Sequence, residues 1–502
     1  MLIQAVAMKH WLILRCTLNK LTELKFANHQ QLRPIGFLPV IFLYALPQVC
    51  YAHAFDERYD LPIPLSFFIW GAVLTVASTY LLAILLIRKS GPSQQSIARP
   101  SSANRVLFCF PIVVQHLIQV MAVFDLCFLM TIAFFGPDNP LMNMTSHFVW
   151  VNWWVGVPLL FAIFGPMMLC IDPFSAISRV INTRSSSSFA QFKIKLAHSL
   201  GRWPAVIGLL CWCWIEVIYP NAALPHYLGT LIMLWMISGL LGRQILGAQE
   251  WNAGWDFFRI YFINFGRISP LSFRDGAVYL GKPFARLIEG ADSIHGDVAF
   301  IIAMLSTVLF DGLHSSPLWL SFQELFQGKF DANGYFSGLL GVILVWAIFY
   351  LCFVGACFLV TRKPSLRENN KRLEALYIAE IFAPTLIPIA LAYHVAHNFS
   401  SLIIQGQNII PLMSDPFGMG WNLFGTANFY PNIAVLDAKT VWYIALSSIV
   451  IGHVVSIYLA HLVALKEFKT VTAASRAALP LTLLMIAFTA ISLMILAEPL
   501  TN

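Results

Sequence analysis

The sequence predicts an all-α protein, a polytopic membrane helix bundle with about ten transmembrane helices after an N-terminal leader. Of its 502 residues, 58% are hydrophobic and only 11% are charged, whereas a soluble domain carries roughly a quarter of charged residues. Apolar runs of the roughly 20 residues that cross a hydrocarbon core of about 30 Å recur almost from end to end. We therefore expect one integral membrane domain over residues 55–502, surrounded by a lipid bilayer.

Residues 1–54 have the pattern of a leader. A basic segment ends at Arg33, an apolar run follows, and Ala52 and Ala54 fit the small-residue pattern of a signal-peptide cleavage site. Cleavage after Ala52 would make His53 the N-terminus, whose amine and imidazole could chelate copper. Cleavage after Ala54 would leave no such chelator, and the sequence leaves both alternatives open.

Ten apolar runs after the leader are long enough to be predicted as membrane spans. They lie at approximately 63–87, 106–134, 147–171, 204–220, 225–246, 297–316, 336–360, 375–398, 441–465 and 478–497. The loop 248–296 mixes aromatic and charged residues, which predicts interfacial helices along one membrane surface.

The basic residues predict the orientation of these spans. If the mature N-terminus is outside, the inner loops hold 23 of the 31 Lys and Arg residues, and the leader holds five. Only Arg58, Lys329 and Lys439 lie on the opposite side. Positive charge collects in cytoplasmic loops, so we predict a bacterial cytoplasmic membrane with both mature termini outside. The net charge of +7 is too dispersed to indicate a nucleic-acid partner.

Two pairs of polar residues interrupt the apolar runs. Asp311 and His314 end the sixth predicted span, and His394 and His397 end the eighth. Residues three apart share one face of a helix, and ionisable groups inside a membrane usually line a cavity, pair or bind a metal. The predicted topology places both pairs near the outer surface, together with Glu216 at the end of the fourth span.

These residues predict a metal site. Imidazole and carboxylate donors suit a divalent transition metal such as zinc, copper or iron, with His314, His394, His397 and Asp311 as candidate ligands. Asp311 and Glu216 are the candidate catalytic carboxylates. Two alternatives stay open, a His/Asp polar network without metal and haem ligation by a pair such as His394 and His453. For His461, a structural role is the preferred interpretation.

Three segments carry a resemblance to a known family. Residues 52–64 (AHAFDERYDLPIP), 393–400 (YHVAHNFS) and 451–456 (IGHVVS) resemble a family of bacterial polytopic membrane proteins known as fenitrothion hydrolases. The resemblance implies hydrolysis of a small lipophilic substrate, an aryl phosphorothioate triester. A metal-bound water is a nucleophile near neutral pH, which would join this activity to the predicted metal. The alternative is a copper-handling or haem-containing redox subunit without hydrolase activity.

Overall fold

The protein is a multi-pass membrane protein built almost entirely from helices. The computed structural model describes residues 64–90, 105–168, 172–181, 197–274, 276–289, 294–326, 331, 333–361, 375–468 and 470–497. Nine helices in this part of the chain are long and apolar enough to cross a membrane. The predicted leader, 1–54, lies outside the described residues.

The long helices follow the predicted spans in order. They are α1 (Leu65–Ser90), α2 (Ile112–Phe135), α3 (Met144–Phe164), α6 (Pro225–Leu246), α10 (Asp297–His314), α12 (Tyr335–Thr361), α13 (Ala375–Ser414), α14 (Ala438–Phe468) and α15 (Val471–Ala497). Shorter elements connect them. These are β1 (Arg105–Cys109), α4 (Phe174–Ile181), α5 (Trp203–Ile218), α7 (Ala248–Gly254), α8 (Phe257–Gly266), β2 (Leu271–Arg274), β3 (Ala277–Leu280), α9 (Ala285–Ile288) and α11 (Pro317–Glu324).

The second span begins later than predicted because its first residues form a strand. β1 pairs antiparallel with β3, and β3 pairs antiparallel with β2, so the sheet order is β1-β3-β2. Pro111 precedes the first residue of α2, and the residue before a proline is driven out of the helical region. Extended backbone therefore continues up to Pro111, and the prediction of helix from residue 106 was wrong.

α5, the fourth predicted span, is the shortest of the ten. It has 16 residues, and a rise of 1.5 Å per residue gives it a length of about 24 Å. Tyr219 ends it in extended backbone, before Pro220. Glu216 consequently lies within the last turn of α5.

α13 extends well beyond its predicted end at residue 398. It runs from Ala375 to Ser414, with 3₁₀ turns at Ala383–Leu386 and Gly406–Asn408. No glycine or proline interrupts residues 399–405, and the amide of Asn398 donates back to the carbonyl of His394 at 3.2 Å, so polar residues here remain helical. The prediction that the helix ends just after His397 was wrong, and the histidine pair lies within the helix.

α8 lies in the segment for which interfacial helices are predicted, but it packs inside the bundle. Asp256 caps it by accepting a hydrogen bond from the backbone N–H of Arg259 at 3.2 Å. Tyr261, Phe262 and Phe265 are fully buried. The aromatic residues of α8 therefore fill the core and do not lie along a lipid surface.

α13 and α14 pack at the closest distance that their side chains permit. A Cβ at Gly452 would lie 2.4 Å from the Cβ of Ala392 and 2.9 Å from the backbone oxygen of Pro388. On the same interface, the Ser456 hydroxyl donates to the carbonyl of Thr385 at 2.5 Å. Gly452 is therefore required by the backbone-to-backbone contact of the two helices.

A buried ionic network joins α4, α6 and α8. Arg243 lies 3.2 Å from the Asp172 carboxylate and 4.6 Å from the ring centroid of Phe174. Arg259 contacts the same carboxylate at 3.3 Å. Burial raises the pKa of the neighbouring Asp256 carboxyl, while Arg259 opposes that rise. Asp172 thus pairs with two guanidinium groups near the start of α8.

The orientation of the bundle stays a prediction of the basic loops. Reporter fusions after Lys89, Arg202, Arg286, Arg372 and Lys469 should all report the cytoplasm, because 23 of 31 basic residues lie in the loops that contain these sites. The measurement is paired alkaline phosphatase and fluorescent-protein activity at each site. Periplasmic activity at two or more of the five would show that the predicted orientation is wrong.

Candidate functional site

The structure brings Asp311 of α10 into direct contact with His397 of α13. Their Oδ2 and Nε2 atoms are 2.6 Å apart, a hydrogen bond and an ion pair when the imidazole is protonated. Asp311 lies one turn before α10 ends at His314. One residue of each predicted pair, Asp311 from the first and His397 from the second, thus takes part in the contact.

This pair is partly exposed although it lies between packed helices. The side chains of His397 and Asp311 are 33% and 34% exposed, whereas Phe310, next to Asp311 in the chain, is fully buried. Neither member of the pair is therefore enclosed completely in the core.

Glu216 of α5 is the second carboxylate near this pair. Its Oε1 accepts a hydrogen bond from the indole Nε1 of Trp154 at 2.6 Å. Glu216 is close enough to Asp311 and His397 for electrostatic coupling to both. An acidic side chain in an apolar bundle requires a hydrogen-bond donor such as this indole. The three ionisable groups therefore form one electrostatic unit.

His394 faces away from that unit and is held by other groups. Its Nε2 lies 3.0 Å from the carbonyl oxygen of Val155, and its Nδ1 lies 3.5 Å from the hydroxyl of Tyr261. The carbonyl belongs to a π-helical stretch, Phe148–Gly156, within α3. Pro158, two residues after this stretch ends, lacks the N–H of a regular helix. Wide π turns of this kind are frequent at functional sites.

His314 packs against aromatic rings at the end of α10. Its ring centroid lies 6.2 Å from that of Phe310 and 5.6 Å from that of Trp319. Ser316 caps the next helix, α11, by accepting a hydrogen bond from the backbone N–H of Trp319 at 3.3 Å. This turn fixes Trp319 beneath the imidazole.

The four predicted metal ligands do not converge in the part of the chain that the structure describes. Asp311 and His397 contact each other, but His394 points to Val155 and Tyr261. No group of three or more His, Cys, Asp and Glu residues among the described residues has a geometry that could hold a metal ion. The metal site therefore stays a prediction of the sequence.

Two further histidines of α14 are completely buried. His453 Nδ1 lies 2.8 Å from the carbonyl oxygen of Ile449, and its Nε2 has no partner within the described residues. Neither ring nitrogen of His461 has a partner there. The sequence favoured a structural role for His461, but the described contacts do not explain how its nitrogens are satisfied.

Searches of protein-family models, of curated proteins and of solved structures find no match to this chain.

Three groups that shape the site could not be predicted from the sequence. Trp154 and the Val155 carbonyl lie in an apolar run in which neither residue type indicates a site, and Tyr261 lies in a segment for which a surface position is predicted. Their roles depend on long-range contacts, for example the 62 residues between Trp154 and Glu216. No local pattern encodes such a contact.

The indole of Trp154 provides a test of the Glu216 environment. Trp154→Phe removes the N–H donor but keeps an aromatic ring. We therefore expect the hydrolase activity that the sequence resemblance implies to fall by about tenfold, the effect of one lost hydrogen bond to a carboxyl group. Trp153→Phe is the matched control, because its indole makes no hydrogen bond to Glu216. Equal activity of the two variants would contradict a role for this hydrogen bond.

Proposed function

We propose that this chain is a membrane-embedded hydrolase of lipophilic organophosphorus triesters, in which His397 is the general base. The observation that carries the proposal is the 2.6 Å contact of His397 with Asp311, with about a third of each side chain exposed. A carboxylate that holds one ring nitrogen fixes the imidazole tautomer and stabilises the imidazolium that forms. The resemblance to fenitrothion hydrolases supports the same reaction.

The direction of the hydrogen bond assigns the reactive nitrogen. An ionised carboxylate only accepts hydrogen bonds, so the proton between His397 and Asp311 belongs to Nε2. The lone pair of the neutral imidazole is then on Nδ1. No hydrogen bond from another described residue occupies Nδ1, so it is the atom that can take a proton from water.

The reaction follows from this assignment. Nδ1 of His397 accepts a proton from water while the water oxygen forms a bond to phosphorus. The bond from phosphorus to the aryl oxygen breaks, and the aryl oxide leaves with the bonding electrons. The imidazolium then returns its proton to the aryl oxide, which gives a phenol and a phosphorothioate diester. Asp311 stabilises the transient imidazolium through its direct contact with Nε2.

The membrane environment suits this class of substrate. A neutral triester partitions into lipid, so it can approach the His397–Asp311 pair, hereafter the dyad, laterally between helices. The partial exposure of the dyad leaves room for a water molecule to approach it. The charged diester product is more soluble in water than the triester and would leave the bilayer.

The experiment is a turnover assay of the full chain in lipid nanodiscs with fenitrothion. Release of the nitrophenol is followed by its absorbance, and inductively coupled plasma mass spectrometry of the same sample tests the predicted metal. Turnover above that of empty nanodiscs is expected. A rate equal to that of empty nanodiscs under metal-replete conditions would overturn the proposal.

One observation favours the alternative, a haem-containing or metal-handling subunit. One ring nitrogen of His453, Nδ1, lies within hydrogen-bond distance of a backbone carbonyl oxygen, and the other, Nε2, is buried and has no partner in the described residues. This is the arrangement in which a histidine binds metal. The pair His394 and His453 does not fit a bis-imidazole haem, because both nitrogens of His394 have contacts. A Soret band that disappears in His453→Gln would support this alternative, and a colourless wild-type protein would exclude haem ligation.

A further inference from the structure

A carboxylate lies near the middle of the membrane helix α2. Asp125 is close to the centre of this 24-residue helix, and it is exposed. None of the described residues forms a hydrogen bond or an ion pair with it. An ionisable group at such a depth is costly for the fold and usually serves a binding or transport function.

Asp125 borders a cavity of about 190 Å³ whose remaining wall is apolar. Five aromatic residues contribute to that wall, namely Phe148, Trp153, Trp212, Trp235 and Phe258. None of the described residues that line this cavity is basic. The cavity therefore combines one negative charge with several aromatic faces.

The aromatic wall is rigid because its rings pack on one another. Phe258 lies 4.9 Å from Trp212 and 6.0 Å from Trp235, both in edge-to-face geometry. Trp153 lies 6.3 Å from Phe258. The nearby guanidinium of Arg259 is bound to Asp172 and so is engaged elsewhere. The cavity is thus preformed, and no basic side chain among the described lining residues pairs with the carboxylate of Asp125.

We propose that this cavity binds an organic cation, an ammonium group carried on a hydrophobic body. Aromatic faces attract cations through their quadrupoles, most strongly where water is excluded. An apolar body would fill the cavity, as most small-molecule sites require. The cationic group would be paired with Asp125, which removes the cost of an isolated carboxylate in the membrane. A metal ion is not favoured, because Asp125 is the only charged ligand among the described residues of the wall.

The test compares a permanent cation with its uncharged isostere. Radiolabelled phenethyltrimethylammonium and 3,3-dimethylbutylbenzene are measured by equilibrium dialysis against the full chain in nanodiscs of zwitterionic phosphatidylcholine. Asp125→Asn should weaken binding of the cation by about tenfold or more, equivalent to about 1.4 kcal/mol, and leave binding of the isostere within about twofold. Ala122→Phe should abolish binding of both compounds, because this side chain lines the cavity.

Asp138→Asn is the matched control. Asp138 is exposed, lies after the end of α2 and does not line the cavity, so its replacement should leave both affinities unchanged. Equal affinity of the wild type for the two compounds would overturn the proposal. So would failure of the wild type to bind either compound, the result expected if a basic residue of a partner helix occupies the site. Gel filtration of each variant shows whether it is folded.

Discussion

His397→Gln should lower the proposed turnover of fenitrothion by about a hundredfold to ten-thousandfold, the range that general-base catalysis contributes. Glutamine keeps a polar side chain of similar length but cannot take a proton from water. Asp311→Asn should have a comparable effect, because the amide would stabilise the wrong tautomer of His397 and cannot stabilise the imidazolium. The measurement is kcat from nitrophenol release in nanodiscs.

His116→Gln is the control for this substitution. His116 is exposed on α2 and contacts none of the groups of the dyad, so its variant should retain wild-type turnover. Metal content of the His397→Gln protein is measured in parallel. A variant that keeps full activity would show that the dyad does not carry the reaction, even if the chain proves to be a hydrolase.

Gly452→Ala destabilises the bundle by about 1–3 kcal/mol, the usual cost of overpacking a close contact. The added methyl group would lie 2.4 Å from Ala392 and 2.9 Å from the Pro388 carbonyl oxygen, and a backbone atom cannot move aside as a flexible side chain can. α13 must shift, and it carries His397. We therefore expect both a lower apparent melting temperature and a loss of activity.

Gly355→Ala provides the comparison within another long helix. Nothing lies within 4 Å of a Cβ at Gly355 of α12, and alanine is the better helix former. The thermal midpoint of this variant should equal or exceed that of the wild type. A midpoint for Gly452→Ala as high as that for Gly355→Ala would mean that α13 and α14 do not pack as closely as described.

The helical class and the order of the spans could be predicted from the sequence, because length and hydropathy decide whether a segment can cross a bilayer. Nine of the ten predicted spans correspond to long apolar helices in the described residues. The ends were less accurate, at the start of α2, the end of α3, the end of α13 and the start of α15. At Pro111 local stereochemistry overrides hydropathy, whereas residues 399–405 include Phe399, Leu402, Ile403 and Ile404, so the helix continues along an apolar stretch that the predicted span left out.

The candidate site could be predicted only in part. The spacing of Asp311 and His314 and of His394 and His397 identified the helix faces, and the structure joins one member of each pair. The position of His394 could not be predicted, because it depends on a contact with the backbone carbonyl of Val155, 239 residues earlier in the chain. Asp125 was visible as a charge in an apolar run, but the aromatic wall around it comes from four other elements.

The shortness of α5 has a consequence for the lipid that surrounds the bundle. A 16-residue helix covers about 24 Å, less than the hydrocarbon thickness of about 30 Å. A bilayer responds to such a mismatch by thinning locally. The thinned annulus would bring headgroups and water closer to Glu216 in the last turn of the helix.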